Sequence, residues 1–412
     1  MASSNCSETV LKKIGKVLCS PVVEIIFTNV VIRSCDGSDP IHFSDARIDF
    51  LTGNSVFLSW FWHESICRIL KNKIASSTSI KSSDDIAFNC LTSYLGNDNH
   101  KKHLETLKVS LTEAEIQSVL AHHLFAPLVP SSRYKIDAKH QHLDKCFACK
   151  ERSCIGDTSL GHVDVWHGYA DILIEKSTVK VSIQSAADDQ EENESFEPAT
   201  KMCKRGGGDA LGSDSEGSSD ECIGLNGSVL IEDKKGNIND ALPQVFAQTI
   251  VNAFCEIKNN PVYEDYYIPS FLATATTITV HMYNCKRDRL FSSDDLPIFD
   301  QSGNVNVDTI ITVWLALNFD KLANIVPDDN FEQMNIPKCQ FRKAVGSSFS
   351  LYQNEMSKPL VNADRKRTLK RNFAKIAFPK TDYFIKMIES VRTAEALCEE
   401  HWKTHTIPQS SP

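Results

Sequence analysis

The residues with the clearest chemical meaning are two carboxylates and a lysine set in apolar stretches. Asp171 is the one acid in 168–174, GYADILI, and Glu232 and Lys234 close the stretch 228–235, SVLIEDKK. Alternate residues of a strand face the same side, so Glu232 and Lys234 share one face, where Asp171 can meet them. Two carboxylates suit Mg²⁺ or Mn²⁺, which would polarise a phosphate and activate a water while the lysine stabilises the developing negative charge. The pattern therefore predicts metal-assisted chemistry at a phosphate.

The elements that must position these groups follow from local patterns. Ser110-Leu111-Thr112-Glu113 fits a capping box, and apolar residues follow it at helical spacing, with Glu113 near the face of Ile116 and Leu120. The patterns predict a strand or two over 22–31, helices over 56–70, 110–125 and 308–324, strands over 161–167, 169–175, 178–184 and 228–235, a helix from Asn239 or Asp240 to Ile257, and one strand or a hairpin over 270–284.

This order of helix, three strands, helix and strand, with an acid on one strand and Glu-x-Lys on a later one, resembles the PD-(D/E)xK nuclease superfamily. Within it, the chain looks like the RecB and lambda-exonuclease-like branch. The resemblance covers about residues 110–320. It implies an α/β (α+β) protein with a restriction-endonuclease-like core, in which helices flank a mixed central sheet, and with N- and C-terminal extensions. It also implies Mg²⁺- or Mn²⁺-dependent hydrolysis of phosphodiester bonds, with DNA as the expected partner.

The resemblance implies a role for each motif residue. Asp171 and Glu232 would bind the metal, Lys234 would assist the attacking water, and Glu113 on the upstream helix would be a further metal ligand. Two alternatives stay open. Asp164, between two valines, is a rival for the first acid, although an acid that opens an apolar strand after Gly-Tyr-Ala fits the family better. A register shift by one residue would bring 233 and 235 to the site instead of 232 and 234.

The helix after the lysine carries a polar stripe. Gln244, Gln248 and Asn252 are spaced four residues apart, so they lie on one face of that helix. The exonuclease-like branch carries a Gln on this helix, which implies a catalytic role for Gln248 and a nucleic-acid contact for Gln244.

A cysteine-rich stretch offers a second metal site. His142, Cys146, Cys149 and Cys154 have the spacing H-x3-C-x2-C-x4-C, and thiolates with an imidazole suit Zn²⁺. No second Cys-x2-Cys pair follows at the right distance. The sequence leaves two interpretations open. Either a structural zinc ion holds the loop 126–160 together, or these are solvated loop residues.

The segment 186–222 differs from the rest of the chain in composition. It holds eleven acidic and three basic side chains, many Gly and Ser, and few large apolar residues. Such a segment buries too little apolar surface to offset its ordering entropy, which predicts disorder. It also carries most of the net charge of −9. The remaining chain is nearly neutral, so the acidic balance does not exclude a nucleic-acid partner.

The 412 residues are therefore predicted to form three regions. These are a region of mixed helix and strand over 1–108, a nuclease-like core over 109–325 interrupted by the acidic insert, and a mostly helical extension over 326–412. The extension carries a basic run that would contact phosphates or act as a nuclear import signal, the alternative being a solvated helix face. The run includes Arg365, Lys366, Arg367, Lys370 and Arg371.

Targeting features are also informative. The first residues lack the apolar core of a signal peptide, no stretch offers about 18 consecutive apolar residues, and fourteen cysteines are scattered along the chain. We expect an intracellular protein with mostly reduced thiols and no membrane partner, nuclear if the basic run is an import signal and otherwise cytoplasmic. Two other functions remain as alternatives: a nuclease-like module that binds nucleic acid or protein without turnover, and a zinc-stitched interaction protein.

Overall fold

A computed structural model describes residues 25–34, 43, 46–75, 83–138, 143–174, 180–183 and 238–358. Over these residues the protein is a mixed α/β fold, in which a large, mostly antiparallel sheet and its helices share one apolar core. The broad class agrees with the α/β (α+β) prediction. No helix in the described ranges has the length and apolar character needed to cross a membrane.

The strands build one large sheet and one small hairpin. The large sheet has the order β2-β1-β11-β10-β9-β8-β7-β3-β4, with β12 paired to β10, and β5 pairs with β6 in the hairpin. Neighbouring strands are antiparallel, except that β3 is parallel to β4 and β8 is parallel to β9. The bounds are β1 Ile26–Ser34, β2 Arg47–Phe57, β3 Tyr134–Asp137, β4 Ile155–Gly156, β5 Ser159–Gly161, β6 His167–Tyr169, β7 Ile172–Ile174, β8 Lys180–Ile183, β9 Ile268–Ala273, β10 Thr277–Asn284, β11 Arg289–Ser293 and β12 Leu296–Pro297.

The helices connect and cover these strands. The bounds are α1 Leu58–Ala75, α2 Ser83–Gly96, α3 Asp98–Leu104, α4 Glu113–Leu120, α5 Ile238–Asn259, α6 Val307–Leu317, α7 Phe319–Leu322, α8 Asp328–Gln333, α9 Phe341–Val345 and α10 Phe349–Asn354. Short 3₁₀ turns lie at Glu105–Lys108, Ala126–Leu128, Pro261–Asp265 and Gly346–Ser348. One π-helical segment, Ala121–Phe125, continues α4.

Helix α5 lies in the connection between two parallel strands. Parallel neighbours need a long crossover, and the chain between β8 and β9 includes this helix. Every residue from 245 to 256 is buried, so α5 is an interior helix rather than a surface one. The predicted helix from Asn239 or Asp240 to Ile257 is confirmed to within two residues.

The predicted strand or hairpin over 270–284 is a hairpin of β9 and β10. Its turn is held by Thr274, whose hydroxyl accepts the backbone N–H of Thr276 at 3.1 Å and that of Thr277 at 2.9 Å. All six residues of β9 are buried, which explains why its sequence is apolar almost without alternation.

The strands around the predicted first acid are shorter than expected. The stretch 161–167, predicted as one strand, instead holds the end of β5, a turn and the start of β6. The apolar strand after Asp171 is present as β7, which lies between β3 and β8 in the sheet. A Gly with φ +109° at 161 permits the turn after β5, because a Cβ at this position would lie 2.0 Å from the carbonyl oxygen of Trp166.

The N-cap of helix α4 lies two residues after the predicted N-cap, Ser110. Thr112 is the N-cap, its hydroxyl accepts the N–H of Glu115, and the Glu115 carboxylate accepts the N–H of Thr112 at 2.8 Å. The capping box of Ser110 and Glu113 is therefore wrong, because the same pattern fits Thr112 and Glu115. This shift uses Glu115 in the cap and leaves the Glu113 carboxylate at the start of the helix for another role.

Strands from the predicted region 1–108 belong to the large sheet. β1 pairs with β2 on one side and with β11 on the other, so the chain before residue 108 shares hydrogen bonds with the chain after it. Helix α1 agrees with the helix predicted over 56–70, and its Phe61 ring packs against Phe27, Tyr267 and Phe291 at 5.0–5.7 Å between centroids. The helix predicted over 308–324 is present as α6 and α7.

Candidate functional site

Asp171 lies at the start of β7, as the sequence predicted. The residue is half-buried, and its backbone carbonyl accepts two hydrogen bonds. One comes from the side-chain amide of Gln117 on α4 at 2.6 Å, and the other from the backbone N–H of Asp137 at 3.1 Å. The backbone that carries this carboxylate is therefore held from both a helix and a neighbouring strand.

Glu113 lies on the same helix as Gln117, one turn towards its N-terminus. Residues four apart share a helix face, so the Gln117 contact brings this face of α4 to the start of β7. Glu113 is half-buried, and burial raises the pKa of its carboxyl to about 7. A carboxyl with this pKa loses its proton near neutral pH. The resulting carboxylate is the form that binds a cation.

Gln248 on α5 contacts the same short segment. Its side-chain amide donates to the backbone carbonyl of Tyr169 at 3.3 Å, and the residue is fully buried. Two glutamines on two helices thus hold carbonyls at positions 169 and 171. We call Glu113, Gln117, Asp171 and Gln248 the acid site. Gln117 was not predicted, although its spacing of one turn from Glu113 was a signal that could have found it.

The other residues of the predicted polar stripe have different environments. Gln244 is half-buried, one turn before Gln248, and Asn252 is almost completely buried one turn after it. Gln248 and Asn252 are both part of the interior, so of the three stripe residues only Gln244 lies where a ligand could approach.

Asp164, the rival for the first acid, lies in the turn between β5 and β6. Its side chain is 71% exposed and lies 3.6 Å from the His162 ring. An exposed turn of the separate hairpin holds a carboxylate less firmly than the start of β7, which favours Asp171 over Asp164.

Several predicted site residues lie outside the described ranges. They stay predictions, as do the roles assigned to them. They are His142, Glu232, Lys234, Arg365, Lys366, Arg367, Lys370 and Arg371.

A second group of ligands lies around the segment 144–154, which we call the thiol loop. The backbone N–H of Cys146 donates to the carbonyl of Glu151 at 2.8 Å, and that of Lys150 donates to the carbonyl of Cys146 at 3.0 Å. Lys150 has a left-handed backbone with φ +63°, a conformation that is disfavoured for a residue with a Cβ. This tight turn brings Cys146 and Cys149 close together.

The thiols of Cys146 and Cys149 and a ring nitrogen of His122 all lie within 4.8 Å of one another, and this group could hold a metal ion. We call these three residues the thiol site. It keeps two members of the predicted set. Cys154 is exposed and outside this group, and the imidazole comes from His122 in the π-helical segment. His122 was not predicted because it lies 24 residues before Cys146, and such a distance is closed only by the fold.

Further histidines surround the thiol site. The His123 ring places Nε2 3.4 Å from the Cys146 sulfur and Nδ1 3.3 Å from Nδ1 of His100, and it stacks on His103 at 4.4 Å between centroids. Burial and the neighbouring imidazoles lower the pKa of His123 to about 3, so this ring is neutral at physiological pH. Burial lowers the pKa of His122 as well. Neutral imidazoles are the form that binds metals.

Comparisons with known proteins assign no family to this chain. No model of a known protein family matches the chain. No curated protein matches it. No solved structure matches it.

Proposed function

We propose that this protein is a Mg²⁺- or Mn²⁺-dependent nuclease that hydrolyses phosphodiester bonds in DNA. The observation that carries the proposal is the contact between Gln117 and the carbonyl of Asp171, because it brings the helix with Glu113 to the strand with Asp171. Two acids that are distant in sequence would then share one cation.

The arrangement of elements supports a restriction-endonuclease-like core. In chain order, α4 is followed by β3, by the short strands β4, β5 and β6, by β7 and β8, and then by α5 and β9, and β3, β7 and β8 are neighbours in the sheet. β7 is antiparallel to β3 and to β8, and β9 is parallel to β8. Apart from β4 and the β5–β6 hairpin, this order of helix, strands, helix and strand is consistent with the one that the resemblance implies, and the predicted strand 228–235 lies outside the described residues.

In the proposed reaction, Asp171 and Glu232 would hold the cation, and Glu113 would be a further ligand. A cation held there would polarise the phosphate and lower the pKa of the attacking water. The attacking oxygen bonds to phosphorus, the bond from phosphorus to the leaving oxygen breaks, and a proton returns to that oxygen. Lys234 would stabilise the charge on the phosphate oxygens as it develops.

Gln248 has a positioning role in this proposal. Its amide holds the carbonyl of Tyr169, two residues before Asp171, so it fixes the backbone rather than the substrate. Gln244 and the basic run near Arg365 would contact the nucleic-acid backbone, whose phosphates attract cationic and amide groups.

Zinc is the metal that we propose for the thiol site. Thiolate and imidazole ligands suit Zn²⁺, whereas Mg²⁺ prefers oxygen. The two metals would therefore occupy different places and have different roles, one structural and one catalytic.

The proposal is tested by incubating labelled linear and circular DNA with the full chain, with and without Mg²⁺ or Mn²⁺. We expect cleavage by the wild type, loss of cleavage in Asp171→Asn and Lys234→Ala, and wild-type rates in Asp164→Asn, a matched acid in the exposed turn. A wild-type rate of cleavage in Asp171→Asn would contradict the assignment of this residue to the site. DNA binding without metal-dependent cleavage by the wild type would favour a binding module instead.

A further inference from the structure

We propose that the thiol site is a four-ligand zinc centre in which His123 joins His122, Cys146 and Cys149, and that this centre holds the acid-bearing helix α4 in place. The first half of this inference stands apart from the nuclease proposal. The second half rests on it, because it assigns the zinc a role in positioning Glu113.

The distances fit tetrahedral zinc. Bonds of about 2.3 Å to sulfur and about 2.0 Å to nitrogen place neighbouring ligand atoms about 3.3–3.8 Å apart. The three ligand atoms of the thiol site already lie within 4.8 Å of one another. The Nε2 atom of His123 is 3.4 Å from the Cys146 sulfur, which is the separation expected for two ligands of one zinc ion.

Burial favours a closed, structural centre. Cys146 is fully buried, His123 is 5% exposed, and His122 and Cys149 are half-buried. Cys154 and His123 both lie outside the group of three, but Cys154 is exposed, whereas Nε2 of His123 is 3.4 Å from the Cys146 sulfur. His123 therefore fits the fourth position better than Cys154 does.

The second nitrogen of each imidazole already has a partner. Nε2 of His122 is hydrogen bonded to the hydroxyl of Tyr134, which leaves Nδ1 for a metal. Nδ1 of His123 faces Nδ1 of His100 at 3.3 Å, which leaves Nε2 for a metal. Metal-binding histidines are ordinarily held by a hydrogen bond at the nitrogen that does not bind the metal.

The centre is tied to the acid site through α4. The backbone N–H of Phe147 in the thiol loop donates to the hydroxyl of Ser118 at 3.0 Å. Ser118 and His122 are four residues apart, so they present one side of the helix to the loop. Gln117, next to Ser118, donates to the carbonyl of Asp171. A zinc ion that fixes the C-terminal end of α4 therefore also fixes the position of Glu113.

The ligand set is tested by zinc analysis of the purified full chain after reconstitution with ZnCl₂. We expect about one zinc per chain in the wild type and in Cys154→Ser, and almost none in His122→Ala and Cys149→Ser. His123→Ala should bind zinc at least roughly tenfold more weakly than the wild type. Cobalt substitution should give a thiolate-to-metal charge-transfer band that is present in Cys154→Ser and absent in Cys149→Ser.

Two results would overturn the whole ligand set, and a third would overturn the place of His123 in it. One is a wild type that binds no zinc. The other is a Cys154→Ser variant that loses zinc while His122→Ala keeps it, since this would restore the set expected from sequence. Unchanged zinc affinity in His123→Ala would remove His123 from the centre.

The positioning role is tested by amide hydrogen exchange in 113–120 together with DNA cleavage. Chelation of zinc from the wild type should speed exchange in this segment and reduce cleavage, with full recovery when zinc is returned. The Cys154→Ser variant should behave as the wild type does. Slow exchange in the zinc-free protein would overturn the role. If zinc controls exchange but no form of the protein cuts DNA, the nuclease proposal fails while the zinc centre stands.

Discussion

Helix α4 contributes to two sites of opposite chemistry. At the acid site, Glu113 and Asp171 are half-buried, and the amides of Gln117 and Gln248 hold the carbonyls of Asp171 and Tyr169. At the thiol site, Cys146 is fully buried and lies beside neutral imidazoles. Hard oxygen ligands with access to solvent suit an exchangeable cation and a substrate, whereas a closed set of sulfur and nitrogen suits a permanent metal. The acid site that we propose to be catalytic and the thiol site that we propose to be structural therefore lie near the two ends of the same helix.

The largest effect is expected from a substitution that disrupts only the acid site. Asp171→Asn removes a metal ligand and should lower Mg²⁺-dependent cleavage by more than the roughly 100-fold that loss of an outer partner costs. Zinc content should stay at the wild-type level, because the thiol site has no contact with this carboxylate in the proposal. Loss of zinc together with cleavage would show that the two sites are not separate.

The next largest effect is expected from removal of zinc, which disrupts only the thiol site. Removal of zinc with a chelator should lower the midpoint of thermal unfolding by roughly 5–10 °C, since a structural zinc contributes directly to folding free energy. His122→Ala should unfold at the lower temperature with or without the chelator. Equal midpoints for zinc-loaded and zinc-free wild type would contradict a structural role.

A smaller effect is expected at the link between helix and strand. Gln117→Ala removes one of the two hydrogen bonds to the Asp171 carbonyl, which keeps the N–H of Asp137 as a partner, at a cost of about 1 kcal/mol in unfolding free energy. Cleavage should fall by about tenfold through the catalytic rate rather than DNA affinity. The control is Gln333→Ala on α8, an exposed glutamine that should change neither quantity.

The smallest effect is a pH dependence from Glu113. Burial raises the pKa of this carboxyl to about 7, so the folded protein binds a proton that the unfolded chain has already lost. In metal-free protein, its contribution to stability is therefore present at low pH and is lost as pH rises through about 7. Glu113→Gln should flatten this part of the stability curve, measured by urea unfolding between pH 5 and about 8. Mg²⁺ should bind the wild type more tightly as pH rises, and identical curves for both proteins would contradict the assignment.

Helix α5 and the β9–β10 hairpin show what local patterns predict well. The helix was expected from apolar spacing and a polar start, and the structure agrees to within two residues. The alternating, Thr-rich stretch 270–284 was expected to form one strand or a hairpin, and it forms a hairpin whose turn is held by Thr274. These elements depend on neighbours in the chain, so the sequence carries their signal directly.

The N-terminus of α4 shows where a local pattern is ambiguous. Ser110 with Glu113 and Thr112 with Glu115 have the same spacing, and both fit a capping box. The structure uses the second pair. Only the packing of the helix against the sheet selects between them, and this selection decides which glutamate is free for the acid site.

By itself, the sequence determined which residues have the chemistry for two metal sites. An isolated acid before an apolar strand pointed to Asp171, and a Cys-x2-Cys pair pointed to a thiol ligand set. The tertiary structure decided their partners. Gln117 meets Asp171 from 54 positions away, and His122 meets the thiols across 24 residues or more. Local spacing predicts contacts within a turn or a strand, whereas contacts across the chain depend on how the buried faces of α4, β7 and the thiol loop pack together.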